Sequence, residues 1–275
     1  MSPSAELQQM LALATRLAVE GGRIARARLG TARATRKLDD SEVTDVDVAI
    51  ETYVLEAIGE VYPQHAALCE EGVQAGVKGK AGEAEFCWVI DPLDGTRNYI
   101  RQLPIFCTSI AVLQHGAPLI GVIHSPMTDQ TFTVLEDGPV RGATGMLRAS
   151  ARLLDRDALL GVPTGRHRPS VKVVQAWAEK WVLRNLGSTA LHLALVASGA
   201  LDGAFCCECK LWDIAAGALL IERAGGVCTD FEGRSLFPFP LGRYRGEDTP
   251  VLAAGPNVHA ELLKSMRAAL VSAER

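Results

Sequence analysis

The chain has 275 residues, with 28 Lys+Arg against 32 Asp+Glu and a formal net charge of −4; 48% of residues are hydrophobic and 22% charged. These values fit a globular protein of one large or two packed domains. No stretch reaches the roughly 20 apolar residues a membrane helix needs, and Glu6, Arg16 and Glu20 interrupt the N-terminal apolar positions that a signal peptide would keep continuous, so the expected setting is cytoplasmic. A slightly acidic chain with 5% aromatics exerts no global pull on nucleic acid.

From Glu6 to about Leu29, Leu7, Met10, Leu11, Ala14, Leu17, Ala18 and Ile24 recur at steps of three and four, which predicts an amphipathic helix. A polar stretch, Thr31 to Ser41, follows. Val48, Ile50, Tyr53 and Val54 then restart a helical pattern that ends before Pro63 and places Asp47 near its start. Ala66 to Cys69 reads as a strand that ends in Glu70-Glu71. Gln74 to Glu85 reads as a surface loop. Phe86 to Ile90 is the clearest strand and runs into Asp91-Pro92-Leu93-Asp94-Gly95-Thr96. Thr108 to Leu113, Leu119 to His124 and Gln130 to Leu135 follow as strands between turns, so residues 1–140 read as helices on an antiparallel or mixed sheet.

Residues 141–275 read as a layered α/β half. Strands are expected at Leu159 to Val162, Trp181 to Leu186 and Leu201 to Cys207. Helices are expected at Val171 to Trp181, at Ala190 to Ser198 after Gly187-Ser188-Thr189, and from Asp213 to the Gly225-Gly226 pair.

Seven cysteines are too sparse for a disulfide scaffold, and most lie in apolar runs, as reduced buried thiols do. Cys206-Cys207-Glu208-Cys209 has no second cysteine pair to complete a structural zinc site, so strand packing is expected of it. The basic run Arg23, Arg26, Arg28, Arg33, Arg36 and Lys37 reads as a solvated face. The six histidines show no paired ligand spacing, and His192 reads as a satisfied, partly buried imidazole.

The acids carry the chemistry. Glu70-Glu71 and Asp91/Asp94 each stand just past an apolar strand, where open α/β proteins keep their sites, and Asp213 falls in the first turn of a helix. If these ends converge, Asp47, Glu70, Asp91, Asp94 and Asp213 share one pocket and need counter-charge. Oxygen ligands without His or Cys favour Mg²⁺, which keeps waters for a substrate phosphate and implies metal-assisted phosphoryl transfer. Pro92 fixes the turn and Gly95 admits a close backbone approach. A helix starting near Gly95 would cradle phosphate and let the Thr96 hydroxyl orient a water.

Glu70-Glu71, then Asp91-Pro92-Leu93-Asp94-Gly95-Thr96-Arg97-Asn98-Tyr99, then Trp212-Asp213-Ile214-Ala215-Ala216-Gly217 through Ala224-Gly225-Gly226 resemble the signatures of the inositol monophosphatase family. The resemblance covers almost the whole chain. It implies a layered αβαβα fold (α+β), a homodimer, and lithium-sensitive, Mg²⁺-dependent hydrolysis of a small phosphorylated metabolite with two or three Mg²⁺ per site. By matching positions, Glu70, Asp91 and the Leu93 carbonyl would hold one metal, and Asp91, Asp94 and Asp213 a second. Asp47 and Thr96, with Glu70, would serve the attacking water, and the Gly95 and Thr96 backbone would bind phosphate. Lys37 matches a lysine of the family's active-site loop.

Asp94, Ser188, Thr189, Ala190 and Asp213 would contact the substrate. Where inositol-cleaving members carry a glutamate, an ungapped count places Cys206, with Glu208 two residues on; a thiol accepts a hydroxyl poorly. Lys210 could meet an anionic leaving alcohol. Histidinol phosphate, a 3′-phosphonucleotide or a sugar bisphosphate such as fructose bisphosphate are alternative substrates, and a non-catalytic RNA- or protein-binding scaffold is the alternative of another class.

Overall fold

The computed structural model describes residues 3–37, 41–72, 79–164 and 168–271. The first part of the chain runs α1 (Pro3–Arg28), β1 (Ala34–Arg36), β2 (Glu42–Thr44), α2 (Asp45–Val61), β3 (Ala66–Cys69), β4 (Phe86–Asp94), α3 (Thr96–Ile100), β5 (Cys107–Gln114), β6 (Ala117–Ser125), β7 (Gln130–Leu135), β8 (Arg141–Gly142) and β9 (Gly145–Met146). Strands β3 to β9 form one sheet in chain order, parallel at β3/β4 and antiparallel from there on. This sheet therefore continues past residue 140. The polar stretch after α1 holds a short hairpin, β1 with β2, which its fully exposed first strand concealed from any alternation argument. Part of the loop expected at Gln74 to Glu85 lies outside the described residues; from 79 on, Gly79 bridges Ala66.

The rest of the chain runs β10 (Leu159–Gly161), α4 (Arg168–Ala178), β11 (Val182–Arg184), α5 (Thr189–Ala197), β12 (Gly203–Cys206), α6 (Leu211–Arg223), β13 (Val227–Thr229), β14 (Val251–Ala254) and α7 (His259–Val271). Its five-stranded sheet has the order β11-β10-β12-β14-β13.

Residue alternation makes these sheets into inner layers. Along β4, Phe86, Trp88 and Ile90 pack against the α1 and α2 residues Leu17, Ile50 and Val54, while Cys87 and Val89 join the opposite cluster with α5 and α6. In the second sheet Ala204, Val251 and Ala253 face that same cluster, and Phe205 and Leu252 face Trp177 and Leu262 of α4 and α7. Both faces of both sheets are covered, which gives five layers, αβαβα, with α5 and α6 sandwiched between the sheets.

Candidate active site

Strands β3 and β4 run parallel with Cys69 opposite Ile90, so the residues that follow, Glu70 and Asp91, stand side by side at the same end. The β4/β5 register breaks between Asp91 and Asp94. The Leu93 N–H donates to Asp91 Oδ1 at 2.9 Å, so the turn through Pro92 is closed by the carboxylate it presents. Gly95 sits at φ 98°, and a Cβ there would stand 2.9 Å from the Ile105 carbonyl, which leaves glycine as the residue that fits.

Three helix N-termini converge on this strand end. At α2, Thr44 and Asp47 form a capping box: the Thr44 N–H donates to Asp47 Oδ2 at 2.9 Å, the Thr44 hydroxyl bonds the same oxygen, and that hydroxyl accepts from the Val46 and Asp47 N–H groups. At α5, Ser188 Oγ (2.5 Å) and the Ala190 N–H (2.7 Å) donate to Asp94 Oδ2, and the Thr189 N–H to Oδ1 (3.3 Å). At α6, the Lys210 N–H donates to Asp213 Oδ2 at 2.7 Å. Thr96 Oγ1 lies 3.2 Å from Asp47 Oδ1 and 3.0 Å from the Leu93 carbonyl oxygen. A hydroxyl has one proton, so one of these two acceptors remains open to another donor.

The electrostatics show that the acids face one another. Burial lifts Asp91 well above the usual carboxylate range, and Glu70, Asp94 and Asp213 lift it further. Asp213 is raised in the same way, by burial first and then by Asp94 and Glu70. Glu70 is pushed up to about 7 by burial, with Glu71, Asp47 and Asp94 adding to the rise and Lys37 opposing it. Asp47 is raised by burial against its hydrogen bonds from Thr44 and Thr96, and Asp94 by burial against those from Ser188, Ala190 and Thr189. Lys37 Nζ stands 3.6 Å from Glu70 and 2.7 Å from Glu71. Among the described residues, no salt bridge reaches Asp91, Asp94 or Asp213.

This donor set suits a hard divalent cation: oxygen only, buried or half-buried, mutually repelling and short of positive charge. Among the described residues no three His, Cys, Asp or Glu side chains are already grouped to hold an ion.

Beside Asp94 opens a cavity of about 180 Å³ lined by Ser188, Thr189, Cys206, Glu208, Arg97, Thr164, Pro163, Gly187 and His192. Of the residues expected to contact substrate, Asp94, Ser188, Thr189 and Cys206 thus share one wall. Ala190 is fully buried and gives its N–H to Asp94. Lys210 is committed elsewhere: its Nζ pairs with Asp248 at 2.8 Å, and it stands outside the cavity lining. Burial lowers His192 to about 4, and its Nε2 accepts from the Leu186 N–H, so it is the satisfied neutral imidazole its sequence position suggests.

Sequence reasoning missed two supports. Glu51, fully buried, accepts from the Glu71 N–H at 2.8 Å and so ties the acidic pair to α2. Its signal was present, an acid one turn after Asp47 on the apolar face of a helix, where a carboxylate must have a partner. Asn98 donates to the Ile105 and Leu186 carbonyls, both at 2.7 Å, fastening α3 to the segment before α5.

Comparison with known proteins agrees with this architecture. The proteins named Nus factor SuhB of Salmonella typhimurium strain LT2 and Escherichia coli K12 are 34% identical over 271 residues and 33% over 270, each covering 95% of this chain and all of the relative. A solved inositol monophosphatase from Anabaena (Nostoc) superposes with TM-score 0.80 at 30% identity, covering 96% of this chain and 97% of that one. The Thermotoga maritima IMPase shares the fold at TM-score 0.85 and 24% identity, covering 96% and 99%. The model of the inositol monophosphatase family matches residues 6–271, and this chain belongs to that family.

Proposed function

We propose that the chain hydrolyses a small phosphate monoester with Mg²⁺, through a water that attacks phosphorus in line with no covalent enzyme intermediate. The observation that carries this reading is the group of buried and half-buried acids, Asp91 and Asp213 raised by burial and by their acidic neighbours, with no salt bridge to Asp91, Asp94 or Asp213 among the described residues. The family is generally Mg²⁺-dependent. In this reading Glu70, Asp91, the Leu93 carbonyl, Asp94 and Asp213 hold two or three ions. Bound Mg²⁺ supplies Lewis acidity and lowers the pKa of water.

The chain's own groups do the rest. Thr96 Oγ1, within reach of Asp47, orients the nucleophile, and the Asp47 carboxylate takes its proton. The Gly95 and Thr96 N–H groups, free at the start of α3, hold the non-bridging phosphate oxygens. The leaving alcohol occupies the cavity beside Asp94, where Cys206 and Glu208 select it. The thiol at 206 disfavours inositol and leaves histidinol phosphate, a 3′-phosphonucleotide and a sugar bisphosphate as candidates. Lithium sensitivity, a homodimer and a cytoplasmic setting belong to the same reading; no helix among the described residues is long and apolar enough to cross a membrane.

The name of the relatives, Nus factor SuhB, favours a second reading in which the chain acts as such a factor. Its basic N-terminal run supports that reading poorly, since Arg23, Arg28 and Lys37 are paired with Glu20, Asp45 and the Glu70–Glu71 pair. Phosphate release from a panel of inositol phosphate, histidinol phosphate, phosphoadenosine phosphate and fructose bisphosphate separates the two. We expect turnover of at least one ester with Mg²⁺, none with EDTA, and a loss of at least about a hundredfold in Asp91→Asn and Asp213→Asn. Turnover unaffected by both substitutions would overturn the assignment.

A further inference from the structure

Two neighbouring thiols, Cys206 in the cavity wall and Cys209 behind it, take no part in the attack on phosphorus. Cys206 closes β12, and Cys209 stands three residues on, directly before Lys210 caps α6. Both are free cysteines. Thr189 Oγ1 donates to Cys206 Sγ at 3.6 Å. The neighbouring Cys209 thiol, and then the Thr189 hydroxyl, hold the Cys206 thiol below its usual value against its burial. Cys209 is gripped from behind, with its Sγ 3.0 Å from the Thr249 carbonyl oxygen and 3.8 Å from that of Cys206.

The pair is unequal. Cys206 lines the cavity and is 9% exposed, whereas Cys209 is 1% exposed and is pushed well above the usual thiol range by burial. The other cysteines offer no such pair: Cys69, Cys87, Cys107, Cys207 and Cys228 are all raised by burial. A cavity-facing, acidified thiol backed by a second thiol is the arrangement of a reactive cysteine and its resolving partner.

We propose that Cys206, in the wall of the cavity beside Asp94, and Cys209 behind it form a reversible dithiol/disulfide modification site, oxidised by small hydroperoxides that enter through that cavity. The Cys206 sulfur, as thiolate, attacks one oxygen of hydrogen peroxide; an S–O bond forms, the O–O bond breaks, and the departing hydroxide takes the thiol proton to become water. The Cys209 sulfur then attacks Cys206 Sγ; the S–S bond forms, the S–O bond breaks, and the second hydroxide leaves as water with the Cys209 proton. Two thiols lose two electrons and two protons, and one peroxide becomes two waters. A thiol reductant reverses the step by exchange.

The consequence for the site follows from the present contacts. The disulfide withdraws Cys206 Sγ from Thr189 and Cys209 Sγ from Thr249. Thr189 begins α5, whose N-terminus holds Asp94, and Cys209 precedes the α6 turn that holds Asp213. Oxidation therefore strains both clamps on the acids.

Peptide mapping by mass spectrometry tests the site on the full chain in its native state. The reduced protein is treated with hydrogen peroxide, alkylated and digested. We expect the peptide bearing Cys206, Cys207 and Cys209 to lose the mass of two hydrogens and to carry one alkyl group, on Cys207, and to gain three on treatment with dithiothreitol before alkylation. In Cys209→Ser, Cys206 should instead proceed to sulfinic acid. Cys206 ending as sulfinic acid in the unsubstituted protein, or remaining alkylatable while other cysteines oxidise, would overturn the proposal. The map reads the thiols whether or not the protein turns over a phosphate ester, so its result is independent of the function proposed above.

Discussion

Ser188 joins two roles in one hydroxyl, donating to Asp94 Oδ2 and accepting from the Leu191 N–H as the N-cap of α5. Ser188→Ala should cost about 1–2 kcal/mol of stability through the lost cap and hydrogen bond. It should also raise the Mg²⁺ concentration for half-maximal activity by about tenfold, because Asp94 loses a group that orients it. A lower melting temperature with unchanged Mg²⁺ dependence would reduce Ser188 to a helix cap. Gly95→Ala places a Cβ 2.9 Å from the Ile105 carbonyl at a left-handed φ and should abolish phosphate release while costing at least about 1–2 kcal/mol in thermal unfolding. At this scale Asp47, Glu70, Asp91, Asp94, Gly95 and Asp213 were legible because each sits where an apolar strand ends or a helical pattern begins. The position of Ser188 was legible but its bond to Asp94 was not, since the two lie 94 residues apart and no local pattern encodes that pairing.

The helices α2, α5 and α6 all point their N-termini at the acids, and the positive ends of their dipoles favour the charged carboxylates that burial disfavours. The α2 cap is the most exposed to a test. Thr44→Ala removes the hydroxyl that bonds both the Asp47 carboxylate and the first N–H groups of the helix. It should lower stability by about 1–2 kcal/mol, and it should reduce kcat more than it changes KM if, as proposed, Asp47 acts on the water rather than on the substrate. Thr44→Ser should restore both; equal effects of the two substitutions would show that the cap does not position Asp47. The apolar strands β3 to β7 were readable to within two residues, except that β4 runs four residues past Ile90 to Asp94. The hairpin of β1 and β2 and the extension of the sheet by β8 and β9 were not, because two- or three-residue strands with exposed faces carry no period to read.

Across the whole molecule, five layers bring together acids that are up to 166 residues apart in the chain, Asp47 to Asp213. The layered second half was legible because a helix pattern follows each of its apolar strands; the five layers, and which helix ends meet, were legible only through the family signatures. Their convergence sets the pH dependence. Glu70 stands at about 7 in the folded chain against an ordinary 4.5, and Asp91 and Asp213 are raised with it. A carboxyl raised by folding contributes stability fully present below its ordinary value and lost as pH rises through the folded one. For Glu70 alone this is on the order of 3 kcal/mol at most. The metal-free protein should therefore melt at lower temperature as pH rises from about 5 to about 8, and saturating Mg²⁺ should flatten that slope. Neutralisation of these acids by a cation is read most directly by calorimetric titration of Mg²⁺ into the EDTA-stripped chain at pH 7 in two buffers of different ionisation enthalpy. We expect saturable binding that releases protons and is lost in Asp91→Asn; absence of binding, or binding that persists in Asp91→Asn without proton release, would contradict it.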